Sequence, residues 1–465
     1  YWIPYEELDR YNPPQVAGLG ETVVPKTEFL PYVYHSEEVW KHIRKFVVNP
    51  RQSDPKKWEQ LVAYWKSHDV HILDLVRERF GVTVAPAFSD HINDPQPPWS
   101  DVTFFRMYLD HPAATEPYIG KEGEQLAPYI LFDTIKANLY PGNQPNLPLW
   151  SKLASVIPYF QSNFGIDGAR IDMGHALPMP LVSQIITAAR EIDPDFCFIA
   201  EELYPEKAKA AQILGYNMII GQGFYMEPRI WEFKTHEYFY SSRDLPIPVF
   251  ASGETHDTPR LAAREGGRTL SKMLTILNLF MPNGVPFVNS GQEVYEVQPM
   301  NTGLDCGADE AKQLGEHDPY NEKLALFDKT IIHYLNKDHW DLINALEAVA
   351  AIRKDYLDTL INVENFVGLW FESMRTQAIG LGYVINDGAQ VEQKEALMVI
   401  ANTHVYETQT LWVDLGLLRE RTNNSARTAK LLYSSHEAHR SVQEFDQHGN
   451  LNLKMEPGEV KIIKI

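Results

Sequence analysis

The sequence predicts an α/β protein built on a parallel β-sheet curved as in a barrel with a catalytic mouth, followed by a separate antiparallel β domain. Three observations predict this. Between about residues 146 and 361, apolar strand-like runs alternate with helix-period segments, and such alternation specifies parallel strands joined by covering helices. Three of these runs end in acids, at Asp172, Glu201 and Asp257, as where strands deliver carboxylates to one mouth. After about Asn362 the helical period gives way to short strands separated by polar turns. An open doubly wound sheet accommodates the same strands, but acids at successive strand ends favour the barrel.

Residues 1–145 are irregular and punctuated by proline. Two helices are expected there, from Ser36 to Val47 and from Asp54 to about Phe80, with Ser36 and Asp54 as N-caps. The segment from Pro86 to Trp99 carries prolines that break helix and ladder alike. Asn146 to Phe164 reads as one amphipathic helix, with Leu153, Val156, Ile157 and Phe160 on a single face. Strands are expected over Ile166–Met173, Phe196–Ala200, Met218–Ile220, Phe250–Gly253 and Val285–Asn289. Between and after them, helices are expected over Leu181–Ile192, Lys207–Leu214, Leu270–Phe280 and Asp341–Leu360. The β domain is read from Val367–Phe371, Ala378–Val384, Leu397–Asn402, Thr410–Val413, Lys430–Tyr433 and Val460–Ile465. No internal repeat or low-complexity tract is visible.

The composition narrows the function classes. At 465 residues and 44% hydrophobic, the chain is long enough for a large core with accessory units. A formal net charge of −20 argues against nucleic acid or an anionic membrane surface as partner. No apolar run approaches the ~20 residues that span a bilayer. The 10 Trp and 23 Tyr suit clefts that stack sugar rings, although large cores hold such residues too. Only Cys197 and Cys306 are present, so no disulfide framework is implied and a reducing, cytoplasmic compartment is favoured. The opening Tyr1-Trp-Ile-Pro-Tyr has no leader pattern, and the chain reads as if it begins in mid-protein.

The chemistry concentrates in three motifs. In Gly168-Ala-Arg-Ile-Asp172, Arg170 and Asp172 stand two residues apart and so share one face of a strand. Burying such a pair is costly unless each serves the other, and the pairing favours the ionised carboxylate that a nucleophile requires. A structural ion pair is the alternative. The run Phe196-Cys-Phe-Ile-Ala-Glu-Glu202 ends in two acids of opposite parity, so only one of Glu201 and Glu202 faces inward. Desolvation would raise the pKa of the inward one and let it hold a proton; parity alone leaves open which it is. In Phe250-Ala-Ser-Gly-Glu-Thr-His-Asp-Thr-Pro-Arg260, His256 and Asp257 either form a structural pair or grip vicinal hydroxyls. His175 is a further polar residue near the first motif. The reaction that most naturally uses such a set is glycosidic-bond chemistry, in which one carboxylate attacks the sugar and one carboxylic acid protonates the leaving oxygen.

In this order, the motifs resemble the second to fourth signature regions of the α-amylase superfamily of retaining glycosidases and transglycosylases. The resemblance implies a partial (β/α)8 TIM barrel, strands four to eight, with Asp172 as nucleophile and Glu201 as acid/base. His256 and Asp257 would bind sugar hydroxyls at the cleavage point, so the catalytic set reads Asp172, Glu201 and Asp257, with Arg170, His175, His256 and Glu202 binding substrate. Val285 to Glu293 resembles the family's strand eight with its Gly-Gln-Glu turn. The segments Phe88 to Pro97, Asp101 to Phe104, Gly165 to Pro178 and Gln298 to Asn301 resemble bacterial maltosyltransferases of the Thermotoga type. That implies transfer of maltosyl units between α-1,4-glucans through a covalent glycosyl-Asp intermediate. Hydrolysis of the α-amylase kind, and a non-catalytic glucan-binding fragment, are the alternatives.

The family's first signature, an Asp and His ending strand three, has no counterpart before Asp172. The chain is therefore expected to be a C-terminal fragment starting inside an inserted domain, residues 1–145. The barrel remnant would occupy 146–361 and a β-sandwich-like domain 362–465. A remnant of five strands leaves sheet edges uncovered. Expected partners are an α-1,4-glucan or maltooligosaccharide, together with the missing barrel half or a second copy of the chain. No cofactor is expected: Gly380-Leu-Gly382 is too short for a nucleotide loop. Calcium is common near inserted domains of the superfamily, and Asp90, Asn93 and Asp94 offer oxygens to it, although the reading as solvated turn residues is favoured.

Overall fold

The computed structural model describes residues 2–4, 53–68, 78, 82–84, 147–174, 177–223, 235–300, 310, 313–321, 332–373, 376–385, 392–436 and 444–465. They fall into two compact units. The helix expected at Ser36–Val47 and the proline-rich segment Pro86–Trp99 lie outside the described residues.

Among its described residues the first unit holds a short antiparallel pair, β1 (Trp2–Pro4) with β2 (Val82–Val84), and four helices: α1 (Pro55–His68), α2 (Leu147–Ala154), α3 (Val156–Phe164) and α4 (Met179–Arg190). Asp54 caps α1 as expected, its Oδ1 accepting the Lys57 N–H at 3.0 Å. The single helix read over 146–164 is two, interrupted at Ser155, whose hydroxyl donates back to the Lys152 carbonyl at 2.7 Å. The interruption dissolves the expected apolar face. Trp150 and Ala154 are buried before it, whereas Val156 and Phe160 are exposed after it. Gly165, at φ 64°, ends α3 in the left-handed conformation that glycine adopts without steric cost. Helix α4 starts at a Pro-rich N-terminus and buries Leu181, Val182, Ile185, Ile186 and Ala189, a spacing that lines one face.

The second unit contains two sheets. The parallel one has five strands: β3 (Gly168–Ile171), β4 (Cys197–Ala200), β5 (Met218–Ile219), β6 (Val249–Ala251) and β7 (Gly284–Pro286). They are shorter than the apolar runs that signal them. Their spatial order is their chain order, β3-β4-β5-β6-β7. A doubly wound sheet reverses order at a switch point, whereas a barrel wall proceeds strand by strand, and this sheet follows the second pattern. Among the described residues β3 and β7 are its edges.

The register decides which side chains share a face. Ile171, Ala200, Ile219, Val249 and Gly284 are successive partners across all five strands. On this face Ile219 and Val249 are fully buried. The residues one step further, Asp172, Glu201, Ile220, Phe250 and Val285, therefore lie along the opposite face, where Phe250 and Val285 are only half-buried. Phe250 stacks on Phe287 there, with ring centroids 5.0 Å apart.

The second sheet is antiparallel and comprises β8 (Phe366–Phe371), β9 (Ala378–Val384), β10 (Ala396–Asn402), β11 (Gln409–Asp414), β12 (Lys430–Ser434), β13 (Glu444–Phe445), β14 (Leu451–Met455) and β15 (Val460–Lys464). Their order is β12-β15-β10-β9-β8-β11-β14-β13. The central strands β9 and β10 are buried at every position, which explains their near-continuous apolar sequences. Strand β14 instead alternates Leu451, Leu453 and Met455 inward with Asn452 and Lys454 outward. Its alternation is clear, yet the expected strand set omits it.

The unit's helices are α5 (Ala208–Leu214), α6 (Thr235–Ser241), α7 (Gly267–Asn278), α8 (Asp341–Asp355), α9 (Leu357–Ile361) and α10 (Gly416–Thr422). The long helix expected over 341–360 breaks at Tyr356. Two tyrosines, Tyr240 half-buried and Tyr383 fully buried, join this helical layer to the antiparallel sheet. The Tyr240 hydroxyl of α6 contacts the Leu369 and Gly380 carbonyls at 2.6 and 3.1 Å, and that of Tyr383 in β9 donates to the Phe280 carbonyl just past α7. Tyr240 needs Gly368 beneath it, because a Cβ there would stand 3.0 Å from the ring. No helix among the described residues is long and apolar enough to cross a membrane.

Candidate active site

The side chains of Arg170 and Asp172 do share a face. The Arg170 Nη1 lies 2.7 Å from Asp172 Oδ1. Asp172 sits in the turn that leaves β3, and Met173 follows at φ 43°, a left-handed conformation that is uncommon outside glycine. This turn aims the Met173 N–H at the Glu201 carboxylate, which accepts it through Oε2. Gly174 is confined in the same turn, since a Cβ would meet the Tyr216 hydroxyl at 2.5 Å.

Glu201 follows β4, and its N–H donates to the Ile171 carbonyl at 3.3 Å, extending the β3–β4 ladder by one step. That step sets the two acids side by side. The Glu201 Oε1 lies 2.8 Å from Arg170 Nη2, the guanidinium that also holds Asp172. Of the two consecutive acids, Glu201 is therefore the one that faces this cluster. Glu202 has its Oε1 3.3 Å from the Tyr204 N–H, a contact within its own loop.

The loop after β6 completes the cluster. The Asp257 Oδ2 lies 3.1 Å from His256 Nε2 and 3.8 Å from Arg170 Nη2. One guanidinium thus faces three carboxylates, two at strand ends and the third on the loop after β6. Asp172 is the most open of them, with 68% of its side chain exposed against 17% for Glu201.

These surroundings act differently on the acids. Burial pushes the Glu201 pKa above the usual glutamate range. The Met173 N–H and the Arg170 charge oppose that shift, while the charge of Asp172 reinforces it. A cluster of three carboxylates around one cation carries excess negative charge, and a proton on Glu201 relieves it.

Beneath the His256–Asp257 loop lies a polar network that the sequence reading did not single out. The fully buried Glu254 receives Arg260 Nη1 at 2.8 Å and Asn289 Nδ2 at 3.0 Å on Oε1, and the Leu261 N–H at 2.7 Å on Oε2. Arg260 also donates to the carbonyls of Ser290 and Gln298, at 2.7 and 2.9 Å. An acid and an arginine bracketing a His-Asp pair across a proline turn is the only local signal for it.

His175, Asp90, Asn93, Asp94 and Cys306 lie outside the described residues, and with them the expected calcium ligands. Among the described residues no group of three or more His, Cys, Asp or Glu side chains is arranged to hold a metal ion. Cys197 is half-buried.

No family model matches the chain, and no curated protein matches it. Solved structures do. The chain is similar to Eubacterium rectale Amy13B, with 14% identity, coverage of 69% of this chain and 64% of that one, and a TM-score of 0.45. It is similar to the α-amylase from Geobacillus thermoleovorans, solved in complex with acarbose, with 14% identity, 70% and 68% coverage and a TM-score of 0.47. It is also similar to the acarbose-soaked debranching enzyme of Nostoc punctiforme, with 16% identity, 80% and 71% coverage and a TM-score of 0.49. The chain thus spans less than two thirds of the length of the first of these.

Proposed function

We propose that this protein acts on α-1,4-glucans by retaining glycosyl transfer, moving maltosyl units between maltooligosaccharides. The observation that carries the reading is two carboxyls gathered on one guanidinium in unlike surroundings: Asp172 open and held by Arg170, Glu201 held by the same Arg170 but largely buried with its pKa pushed up. Pairs of acids whose environments diverge in this way divide into nucleophile and proton donor. Their sharing of one guanidinium also suits retention, which places the two carboxyl groups ~5 Å apart, whereas inversion needs ~6.5–9.5 Å to admit a water.

In the proposed cycle Asp172 attacks the anomeric carbon while Glu201 protonates the departing glycosidic oxygen. A glycosyl ester forms on Asp172. Glu201, now a carboxylate, takes a proton from the incoming hydroxyl, which attacks the anomeric carbon and releases Asp172. Arg170 orients both acids, and Asp257 with His256 holds ring hydroxyls more tightly as the ring flattens. The choice of a sugar hydroxyl over water as acceptor rests on the likeness of residues 86–110 and 170–178 to maltosyltransferases.

The test is product analysis from a single maltooligosaccharide, with the product anomer followed by proton NMR. Longer and shorter chains of retained configuration are expected. Shorter chains alone would replace transfer with hydrolysis, and inverted product would reject the mechanism.

A further inference from the structure

The acids of the cluster leave the ends of strands, but His256 and Asp257 sit on a loop and need something to hold them. We propose that Glu254, Arg260 and Asn289 form a buried clamp whose task is to position His256 and Asp257 against the Arg170–Asp172–Glu201 cluster; the inference rests on the glucan reading for what that position is used for.

The argument is geometric. Glu254 precedes His256 by two residues, and Arg260 follows Asp257 by three. The Glu254 carboxylate binds Arg260 and the Leu261 N–H, so it ties the start of the loop to its end. The loop between them is closed a second time by its threonines. The Thr255 N–H donates to Thr258 Oγ1 at 2.7 Å, and the Asp257 N–H to Thr255 Oγ1 at 3.2 Å. Asn289 then fixes this closed loop to the turn after β7, donating to Glu254 and, at 3.3 Å, to the Thr255 carbonyl. Arg260 adds its bonds to the Ser290 and Gln298 carbonyls of the same region.

The pair itself is an expensive way to hold a loop. The side chains of Arg260 and Glu254 are 3% and 1% exposed, and a buried ion pair is often no more stabilising than an apolar pair of similar volume. It can, however, fix direction: the fork of Arg260 and the two oxygens of Glu254 set the loop's path bond by bond. The exposed tip gains a defined placement from a base that solvent does not reach. Asp257 faces Arg170 of the cluster and His256 pairs with Asp257; Glu254, Arg260 and Asn289 act through them and are positioning residues.

Two variants of the full chain test this. Glu254→Gln keeps shape but weakens the tie, and Glu254→Gln/Arg260→Met removes both buried charges, so that it recovers folding stability without restoring the clamp. The first readout is independent of turnover: the proton–carbon NMR signal of the His256 ring, assigned by its loss in His256→Gln. In both variants it should shift and broaden while the other histidine signals stay in place. The second readout is kcat on maltooligosaccharide, which should fall ~100-fold in the double variant at unchanged fold, the cost of a small misplacement of reacting groups. An unmoved His256 signal in both variants overturns the clamp, whatever the turnover. A moved signal with parental kcat overturns its role in positioning. A moved signal in the variants, with a parent chain that neither turns over nor binds maltooligosaccharide, keeps the clamp and removes the glucan reading instead.

Discussion

The Arg170 Nη2 stands 2.8 Å from Glu201 Oε1, although the two residues belong to different strands and lie thirty-one positions apart in the chain. The same guanidinium holds Asp172 at 2.7 Å, so one cation sets the spacing of both acids. The chemistry expected of the site depends on this shared contact.

Removing either acid should stop the reaction. Asp172→Asn and Glu201→Gln are each expected to lower kcat/KM at least ~1,000-fold while leaving the fold intact. Turnover assays alongside circular dichroism check both. Near-parental rates in either variant would reject that residue's role.

The neighbours of Glu201 should move its pKa in opposite directions. The Asp172 charge raises it, so Asp172→Asn should lower it; the Arg170 charge lowers it, so Arg170→Gln should raise it further. Carbon NMR titration of the Glu201 carboxyl reads both shifts without any need for activity. Shifts of the same sign would show that the cluster is not coupled as described.

Glu201 should make stability pH-dependent in the sense unusual for a carboxylate. Its folded pKa lies above the unfolded value, so folding favours the protonated form. That stabilisation is complete below the unfolded pKa and is lost as the pH rises through the folded one. Glu201→Gln mimics the protonated state at every pH. Its Tm should match the parent at about pH 4 and exceed it at about pH 8. A Tm difference that shrinks with rising pH would contradict the direction of the shift.

The joint between the helical layer and the antiparallel sheet depends on Tyr383. Its hydroxyl donates to the Phe280 carbonyl in a site with no solvent access, and burial pushes its pKa well above the tyrosine range. Tyr383→Phe leaves that carbonyl unsatisfied and should cost about 1–3 kcal/mol in urea unfolding. An unchanged midpoint would mean that the carbonyl finds another donor.

Much of the fold was legible because its signals are local. The five parallel strands fall within or beside the apolar runs that announce them, and β9 begins and ends at the expected residues. The pairing of Arg170 with Asp172 followed from strand parity alone. Ser155 and Tyr356 hid from the same reasoning, because each lies within an unbroken helical period and interrupts it through local backbone geometry.

What the sequence alone determined, then, was which residues carry charge and which strand end each one leaves. What only the tertiary structure decided was their company. It brought Glu201 and Asp257 to the same Arg170 that holds Asp172, and drew Glu254, Arg260 and Asn289 together beneath the His256 loop. The reason is physical. Periodicity reports the preferences of neighbouring residues, whereas desolvation and ion pairing depend on the register between strands far apart in the chain.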